Sequence, residues 1–240
     1  MKFYKKFSSR AFRVSLVFAL AIIVIAGLGV SSLASKPVSK AIIKPKPGQV
    51  LASHALGELA VKPFANGPKY NRTADFASGW ASAGGCDMRE VILNRDLTNV
   101  KDRSASDCTV LSGTLKDPYT GKTIKFARGP GTSNAVQIDH VVAVGDAWKT
   151  GAQQLSAQTR LKMYDDPLEL LAVDGPANIQ KSDSDASAWL PPNKSYDCRY
   201  VARQIDVKIR YYLWVTSAEH AAMQTALKTC PSQVLPIATN

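Results

Sequence analysis

The sequence Val136-Gln137-Ile138-Asp139-His140 predicts a short strand that ends in a carboxylate and an imidazole. A second apolar run at residues 168–173 predicts another strand. Asp174-Gly175-Pro176 follows that run, and a proline near a first turn favours a helix that begins there. This helix would carry Asn178 and Lys181. The predicted order is therefore a strand, a long insert, a second strand and a helix.

The rest of the chain predicts a mixed α+β fold without an internal repeat. Turn residues and short apolar runs predict further strands at residues 90–96, 108–114 and 122–126. Apolar residues at helical spacing predict helices at residues 50–62, 155–164, 196–214 and 217–229.

The last two predicted helices form an antiparallel hairpin, because only a short turn separates them. Thr216-Ser217-Ala218-Glu219 has the form of a capping box and would begin the second helix. The path up the first helix from Cys198 is about 24 Å, and the path down the second to Cys230 is about 21 Å. Both cysteines should therefore lie at one end of the hairpin. This predicts the disulfide Cys198–Cys230 and leaves Cys86 to pair with Cys108.

The first 34 residues indicate a secretory signal peptide. Five basic and no acidic residues come first, an uncharged apolar run fills residues 14–30, and Ser32-Leu33-Ala34 offers small residues for cleavage. An uncleaved signal anchor is the alternative, since the run spans about 26 Å as a helix. Residues 35–53 are predicted to be a basic Pro/Lys-rich linker, and residues 54–240 the functional domain. The protein is predicted to be secreted, or else membrane-anchored and facing outside.

The amino-acid composition narrows the classes of protein to which this chain can belong. The chain is 45% apolar and 20% charged, which excludes a disordered chain and a polytopic membrane protein. Its net charge is +11, and about +6 without the signal segment. A positive net charge favours a polyanionic partner such as nucleic acid, although many secreted proteins are also mildly basic.

Gly-x-Ser-x-Gly and His-Glu-x-x-His are both missing from the sequence, so a serine hydrolase and a zincin are not expected. His54 and His220 fall on predicted structural helices and receive no catalytic role.

Asp139 and His140 have the chemistry of a hydrolytic site. Imidazole titrates near neutrality and suits a general base, and a carboxylate is a hard ligand for Mg²⁺. Asn178 offers a second oxygen, and Lys181 lies three residues later on the same helix face, where it could meet a phosphate. Adjacent strand residues point to opposite faces, so both can serve one site only where the strand ends or bulges. The Asp-His pair alone would more commonly be structural.

Eight stretches of the chain match a known sequence pattern: residues 138–142, 166–173, 178–183, 86–93, 110–113, 117–121, 147–152 and 189–193. Taken together, these stretches resemble the ββα-metal (HNH) nuclease signature. More narrowly, they resemble secreted HNH endonucleases related to the C-terminal domain of GmrSD-type restriction enzymes. The resemblance covers about residues 55–230. It implies a ββα-metal core embedded in a mixed α+β domain with a C-terminal helical hairpin.

The resemblance also implies roles for individual residues. His140 would be the general base, Asp139 and Asn178 would hold one divalent metal ion, and Lys181 would steady a phosphate. Mg²⁺ is the expected ion, with Mn²⁺ or another divalent ion as the alternative. If the pKa of His140 stays near 6.5, activity should fall below about pH 6.

Several assignments stay open within the resemblance. The third residue of the HNH signature is not a histidine here, which leaves the ligand set undecided. Asp183 and Asp185 are the candidate substitutes, with solvated loop acids as the alternative interpretation. Arg89 and Glu90 lie in a matched stretch, and a structural Arg–Glu ion pair explains them equally well.

The predicted function is an exported, metal-dependent endonuclease that cleaves phosphodiester bonds with low sequence specificity. DNA is the favoured substrate and RNA the alternative. The protein is predicted to be monomeric and free of stable membrane association after signal cleavage, and an inhibitor partner stays an open question. The alternative function is a non-catalytic exported module that binds nucleic acid or a cell-wall polymer.

Overall fold

A computed structural model describes residue 46 and residues 48–104 and 107–236. The predicted signal segment, residues 1–34, and much of the linker lie outside the described residues. The helices are α1 (Ala52–Glu58), α2 (Arg72–Asp75), α3 (Met88–Asp96), α4 (Val144–Lys149), α5 (Ala157–Tyr164), α6 (Gly175–Lys181), α7 (Asp197–Arg210) and α8 (Ser217–Lys228). The strands are β1 (Ser82–Ala83), β2 (Cys86–Asp87), β3 (Leu97–Ser104), β4 (Asp107–Lys116), β5 (Thr123–Ala127), β6 (Val136–His140) and β7 (Leu170–Asp174). The α+β class is confirmed.

Two strands and a helix form the unit that carries the candidate site. Strands β6 and β7 pair antiparallel, from Val136 opposite Asp174 to His140 opposite Leu170. Helix α6 begins directly after β7, and the Asp174 side chain accepts a hydrogen bond from the backbone N–H of Ala177 at 2.9 Å. This N-terminal cap explains why the chain turns from strand to helix at Asp174. The predicted order of strand, insert, strand and helix is confirmed, and α4 and α5 occupy the insert.

A second sheet has the antiparallel order β3-β4-β5 and packs against α3. The prediction of a strand at residues 90–96 is wrong, because these residues belong to α3. The run Val91-Ile92-Leu93 is apolar enough for a strand, but Asp87 caps a helix by accepting from the N–H of Arg89 at 2.7 Å. Met88 and Ile92, four residues apart, are buried on one helix face.

The C-terminal helical hairpin forms as predicted, although α7 ends at Arg210, four residues early. The Thr216 hydroxyl accepts from the N–H of Glu219 at 3.1 Å and caps α8. Both predicted disulfides, Cys86–Cys108 and Cys198–Cys230, are present. Helix α1 packs on this hairpin. No helix among the described residues is long and apolar enough to cross a membrane.

Candidate active site

Asp139, His140 and Asn178 line one cleft of about 420 Å³. Strand β6 ends at His140, and the chain then turns toward α4. In a continuing strand, the side chains of Asp139 and His140 would point to opposite faces. Because the strand ends here, both side chains reach the same cleft. Other lining residues are Tyr70, Arg72 and Asp183. The structure thus brings together the three residues predicted for base and metal.

His140 is fixed in a single orientation. Its Nε2 lies 2.9 Å from the backbone oxygen of Tyr164. A carbonyl can only accept a hydrogen bond, so we assign the ring proton to Nε2 and the lone pair to Nδ1. The indole of Trp80 stacks on the imidazole, with ring centroids 5.4 Å apart and planes 15° apart. The contacts hold Nδ1 as the nitrogen able to accept a proton.

His140 is only 4% exposed, and this burial controls its charge. Burial, followed by the positive charge of Arg72, lowers the pKa of His140 to about 3. The imidazole is therefore neutral throughout the physiological range, as a general base requires. The expectation of a pKa near 6.5 is corrected, because it assumed a solvated ring.

The carboxylate of Asp139 is held by two buried partners. Lys181 Nζ lies 2.9 Å from Oδ1, and the Tyr119 hydroxyl donates to Oδ2. Lys181 also donates to the backbone oxygen of His140 at 2.7 Å and has no exposed surface. Burial raises the pKa of Asp139, and the charge of Lys181 opposes that rise. The ammonium of Lys181 is thus directed at Asp139 and at the backbone of His140, and Lys181 does not line the cleft.

Among the described residues, no donor forms a hydrogen bond with the amide oxygen of Asn178. Its Nδ2 donates to Gln137 Oε1 at 2.9 Å, which assigns the orientation of the amide. Asp183 is exposed at the rim of the cleft, and a Cβ at Gly145 would lie 2.5–2.7 Å from its carboxyl group. Glycine at position 145 therefore lets Asp183 approach the first turn of α4. Asp185 does not line this cleft.

The oxygen atoms in the cleft fit a hard divalent cation. A carboxylate has about four lone-pair positions, so Asp139 keeps acceptor capacity beside Lys181 and Tyr119. Asn178 adds a neutral oxygen, and Asp183 adds a second carboxylate nearby. A hard divalent ion would be held here by these oxygens together with water ligands.

Arg72 is a cationic lining residue of the cleft that the sequence did not predict. The guanidinium of Arg72 is exposed, donates from Nη2 to the Tyr164 hydroxyl at 3.0 Å and lies 5.4 Å from the centroid of that ring. Arg72 sits on the four-residue helix α2, far from His140 in sequence. No motif in the sequence marks it; only the tertiary fold places it in the cleft.

Arg89 and Glu90 do not line this cleft. Glu90 accepts from Arg128 Nη2 at 2.5 Å and 2.7 Å, and from the N–H of Val110 at 2.8 Å. Arg89 donates to the backbone oxygen of Val136 at 3.1 Å. Glu90 therefore forms its ion pair with Arg128 and not with Arg89, and this pair joins α3 to the second sheet.

A buried cluster of carboxylates lies elsewhere in the domain. Oxygens of Asp146, Asp185 and Glu219 approach within 4.8 Å of one another, a spacing that could hold a metal ion. Lys208, which has no exposed surface, places its ammonium 2.9 Å from both Asp146 and Glu219. Burial raises the pKa of Glu219 to about 7. Because the ammonium already supplies positive charge, this cluster is an internal ionic network between α4, α7 and α8.

Fold and cleft together define an α+β protein in which a neutral histidine, an aspartate and an asparagine converge at a strand pair and helix. Residues 87–226 match the family model described as "GmrSD restriction endonucleases, C-terminal domain". This match spans more than half of the chain, and the chain belongs to that family. The predicted resemblance to the C-terminal domain of GmrSD-type restriction enzymes is confirmed, and it relates the protein to a family of restriction-endonuclease domains.

A curated relative gives the second comparison. The "Uncharacterized secreted protein" of Arthroderma benhamiae is 36% identical over 187 residues, which cover 77% of this chain and 87% of the relative. No solved structure matches the chain. Tyr70, Arg72 and Trp80, which line the cleft or stack within it, lie before the region that the family model matches.

Proposed function

We propose that the protein is an exported, metal-dependent endonuclease of low sequence specificity, with DNA favoured and RNA as the alternative substrate. The observation that carries this proposal is the convergence of neutral His140 with Asp139 and Asn178 in one cleft. Membership of a restriction-endonuclease family supports the chemistry. The secreted relative and the two disulfides support export. In this proposal residues 1–34 are removed and residues 54–240 act as a monomer.

The chemical step begins at His140. Nδ1 accepts a proton from a water molecule while the water oxygen attacks phosphorus. The Tyr164 carbonyl holds the Nε2 proton, and its dipole stabilises the positive charge that the ring acquires. The bond from phosphorus to the leaving 3′-oxygen then breaks, and that oxygen takes a proton from solvent. The products are a 5′-phosphate and a 3′-hydroxyl.

Asp139 and Asn178 would hold one divalent ion, Mg²⁺ first and Mn²⁺ as the alternative. When bound, this ion supplies positive charge beside the phosphate as negative charge builds on its oxygens. Lys181 and Tyr119 keep the Asp139 carboxylate in place. The phosphate role predicted for Lys181 is therefore replaced in this proposal by a positioning role.

Arg72 is the cation that this proposal assigns to the substrate phosphate. Its guanidinium is exposed in the same cleft as His140. A guanidinium offers paired N–H donors that match two oxygens of a phosphate. The contact with the Tyr164 hydroxyl orients the guanidinium group.

The proposal is tested with supercoiled plasmid and purified residues 35–240. We expect nicked circles and then linear DNA with Mg²⁺ or Mn²⁺, and intact plasmid when EDTA is present. Intact plasmid with every metal, together with a retarded band on the gel, would instead support the alternative of a non-catalytic nucleic-acid-binding module. Cleavage that EDTA leaves unchanged would contradict the metal requirement.

A further inference from the structure

A second and larger cleft, of about 650 Å³, contains four arginine side chains. Arg95 comes from α3, and Arg199, Arg203 and Arg210 come from α7. The α7 positions are separated by four and seven residues, so they share one face of the helix. We call this cavity, lined by these four residues, the arginine cleft.

Two of these arginines brace the loop that leads into β7. Arg95 donates to the backbone oxygens of Pro167 and Leu170 at 2.6 Å and 2.7 Å. Arg203 donates to the same two oxygens at 2.9 Å and 2.8 Å. Carbonyl oxygens accept hydrogen bonds but carry no net charge. These contacts therefore orient the guanidinium groups and leave their positive charge in place.

Carboxylates neutralise only part of this charge. Arg95 pairs with Asp96 at 2.7 Å, and Arg210 lies 3.4 Å from Asp166. Within the part of the chain that the structure describes, Arg199 and Arg203 form no ion pair with a carboxylate. Arg199 is exposed and lies 5.1 Å from the centroid of the Tyr196 ring. The arginine cleft thus keeps an excess of positive charge facing solvent.

The arginine cleft is linked to the candidate active site by a short segment of chain. Tyr164 holds His140 through its carbonyl oxygen, and Asp166, two residues later, lines the arginine cleft. Two residues span at most about 7 Å, so a residue that contacts His140 and a residue that lines the arginine cleft are close neighbours along the backbone.

We propose that the arginine cleft binds the phosphodiester backbone of the nucleic-acid substrate, beyond the bond that is cut. The inference rests on the proposed function, because it assigns a second contact to the same substrate. Arginine forks recognise phosphate oxygens without reading bases. The cleft therefore contributes affinity and register, and it adds no sequence preference.

The test measures binding separately from cleavage. A fluorescent DNA duplex is titrated by anisotropy in EDTA at several salt concentrations, with the parent protein and the double variant Arg199→Gln/Arg210→Gln. The matched control is Lys101→Gln/Arg103→Gln, which removes two exposed positive charges from β3. Arg103 is paired with Asp107 at 3.1 Å, as Arg210 is with Asp166, so the two doubles lose comparable surface ion pairs.

We expect the arginine-cleft double to weaken binding about tenfold. The slope of log affinity against log salt should also become shallower by about 1.8, since each phosphate contact contributes about 0.9. The control double should retain the parent slope. With metal present, the arginine-cleft double should raise KM and leave kcat unchanged. Equal binding by the two doubles would overturn the inference.

The failure of each proposal gives a different result. A parent protein that binds DNA through the arginine cleft but cleaves nothing with any metal would remove the proposed function and leave only nucleic-acid binding by the arginine cleft. A parent that cleaves DNA while both doubles bind equally would remove this inference alone. Urea unfolding of each variant shows whether the fold is retained.

Discussion

Replacing His140 with glutamine should change how the stability of the protein depends on pH. The folded protein holds the pKa of His140 at about 3, whereas an unfolded chain returns it to about 6.5. Below pH 6.5 the unfolded chain therefore binds a proton that the folded protein rejects. The stabilising contribution is complete above pH 6.5 and is lost as the pH falls toward 3. Glutamine does not titrate, and its amide can still donate to the Tyr164 carbonyl.

The two pKa values give the size of the effect. Between pH 7 and pH 4.5, protonation of the unfolded chain at His140 should cost the parent about 2–3 kcal/mol of stability. This figure depends mainly on the unfolded pKa, and it holds as long as the folded pKa lies below about 4. Other groups, including Asp139 with its raised pKa, also change stability with pH. Comparison with His140→Gln removes most of their contribution, because both proteins carry them.

The assay is urea unfolding of the parent and His140→Gln at pH 7 and pH 4.5, with the disulfides intact. The free energy of unfolding should fall by about 2–3 kcal/mol more in the parent than in the variant. His220→Gln, which removes the half-buried histidine of α8, is the control variant. Equal losses in the parent and His140→Gln would show that the folded protein takes up the proton, and would refute the buried neutral imidazole.

Three further predictions concern His140, Arg72 and Lys208. At saturating metal, kcat for DNA cleavage should stay nearly constant from pH 7 to pH 5, because His140 remains neutral. Initial rates measured across that range would show a decline near pH 6 if the ring titrated normally. Arg72→Gln should lower kcat/KM by about 10²-fold with unchanged unfolding, as steady-state kinetics would show; an unchanged kcat/KM would contradict the phosphate role. Lys208→Met should destabilise the protein by about 3–5 kcal/mol in urea, since two buried carboxylates would lose their cation; a fully stable variant would contradict that role for the ammonium.

Local signals predicted the elements that carry the site. Asp174-Gly175-Pro176 contains both the cap and the first turn of α6, so the start of that helix could be read from three neighbouring residues. Thr216 and Glu219 did the same for α8. Once the hairpin was predicted, helix lengths alone brought Cys198 to Cys230. These predictions succeeded because the interactions that decide them are close in sequence.

Features that depend on tertiary contacts were not predictable in this way. A sequence shows that Lys181 follows Asn178 on a helix, but not that the ammonium is buried against Asp139. It likewise does not show that Arg72 returns to the cleft of His140 from a separate helix. The pKa of His140 depends on its burial, which is a property of the folded chain.

The most direct test of His140 as the general base compares the three histidines of the chain, His54, His140 and His220. Each is replaced by glutamine, and the initial rate of plasmid cleavage is measured at saturating Mg²⁺ or Mn²⁺, after urea unfolding has shown that each variant is folded. We expect His54→Gln and His220→Gln to cleave at the parent rate, and His140→Gln to show no cleavage above the protein-free background. A folded His140→Gln protein that cleaves as fast as the parent would contradict His140 as the general base.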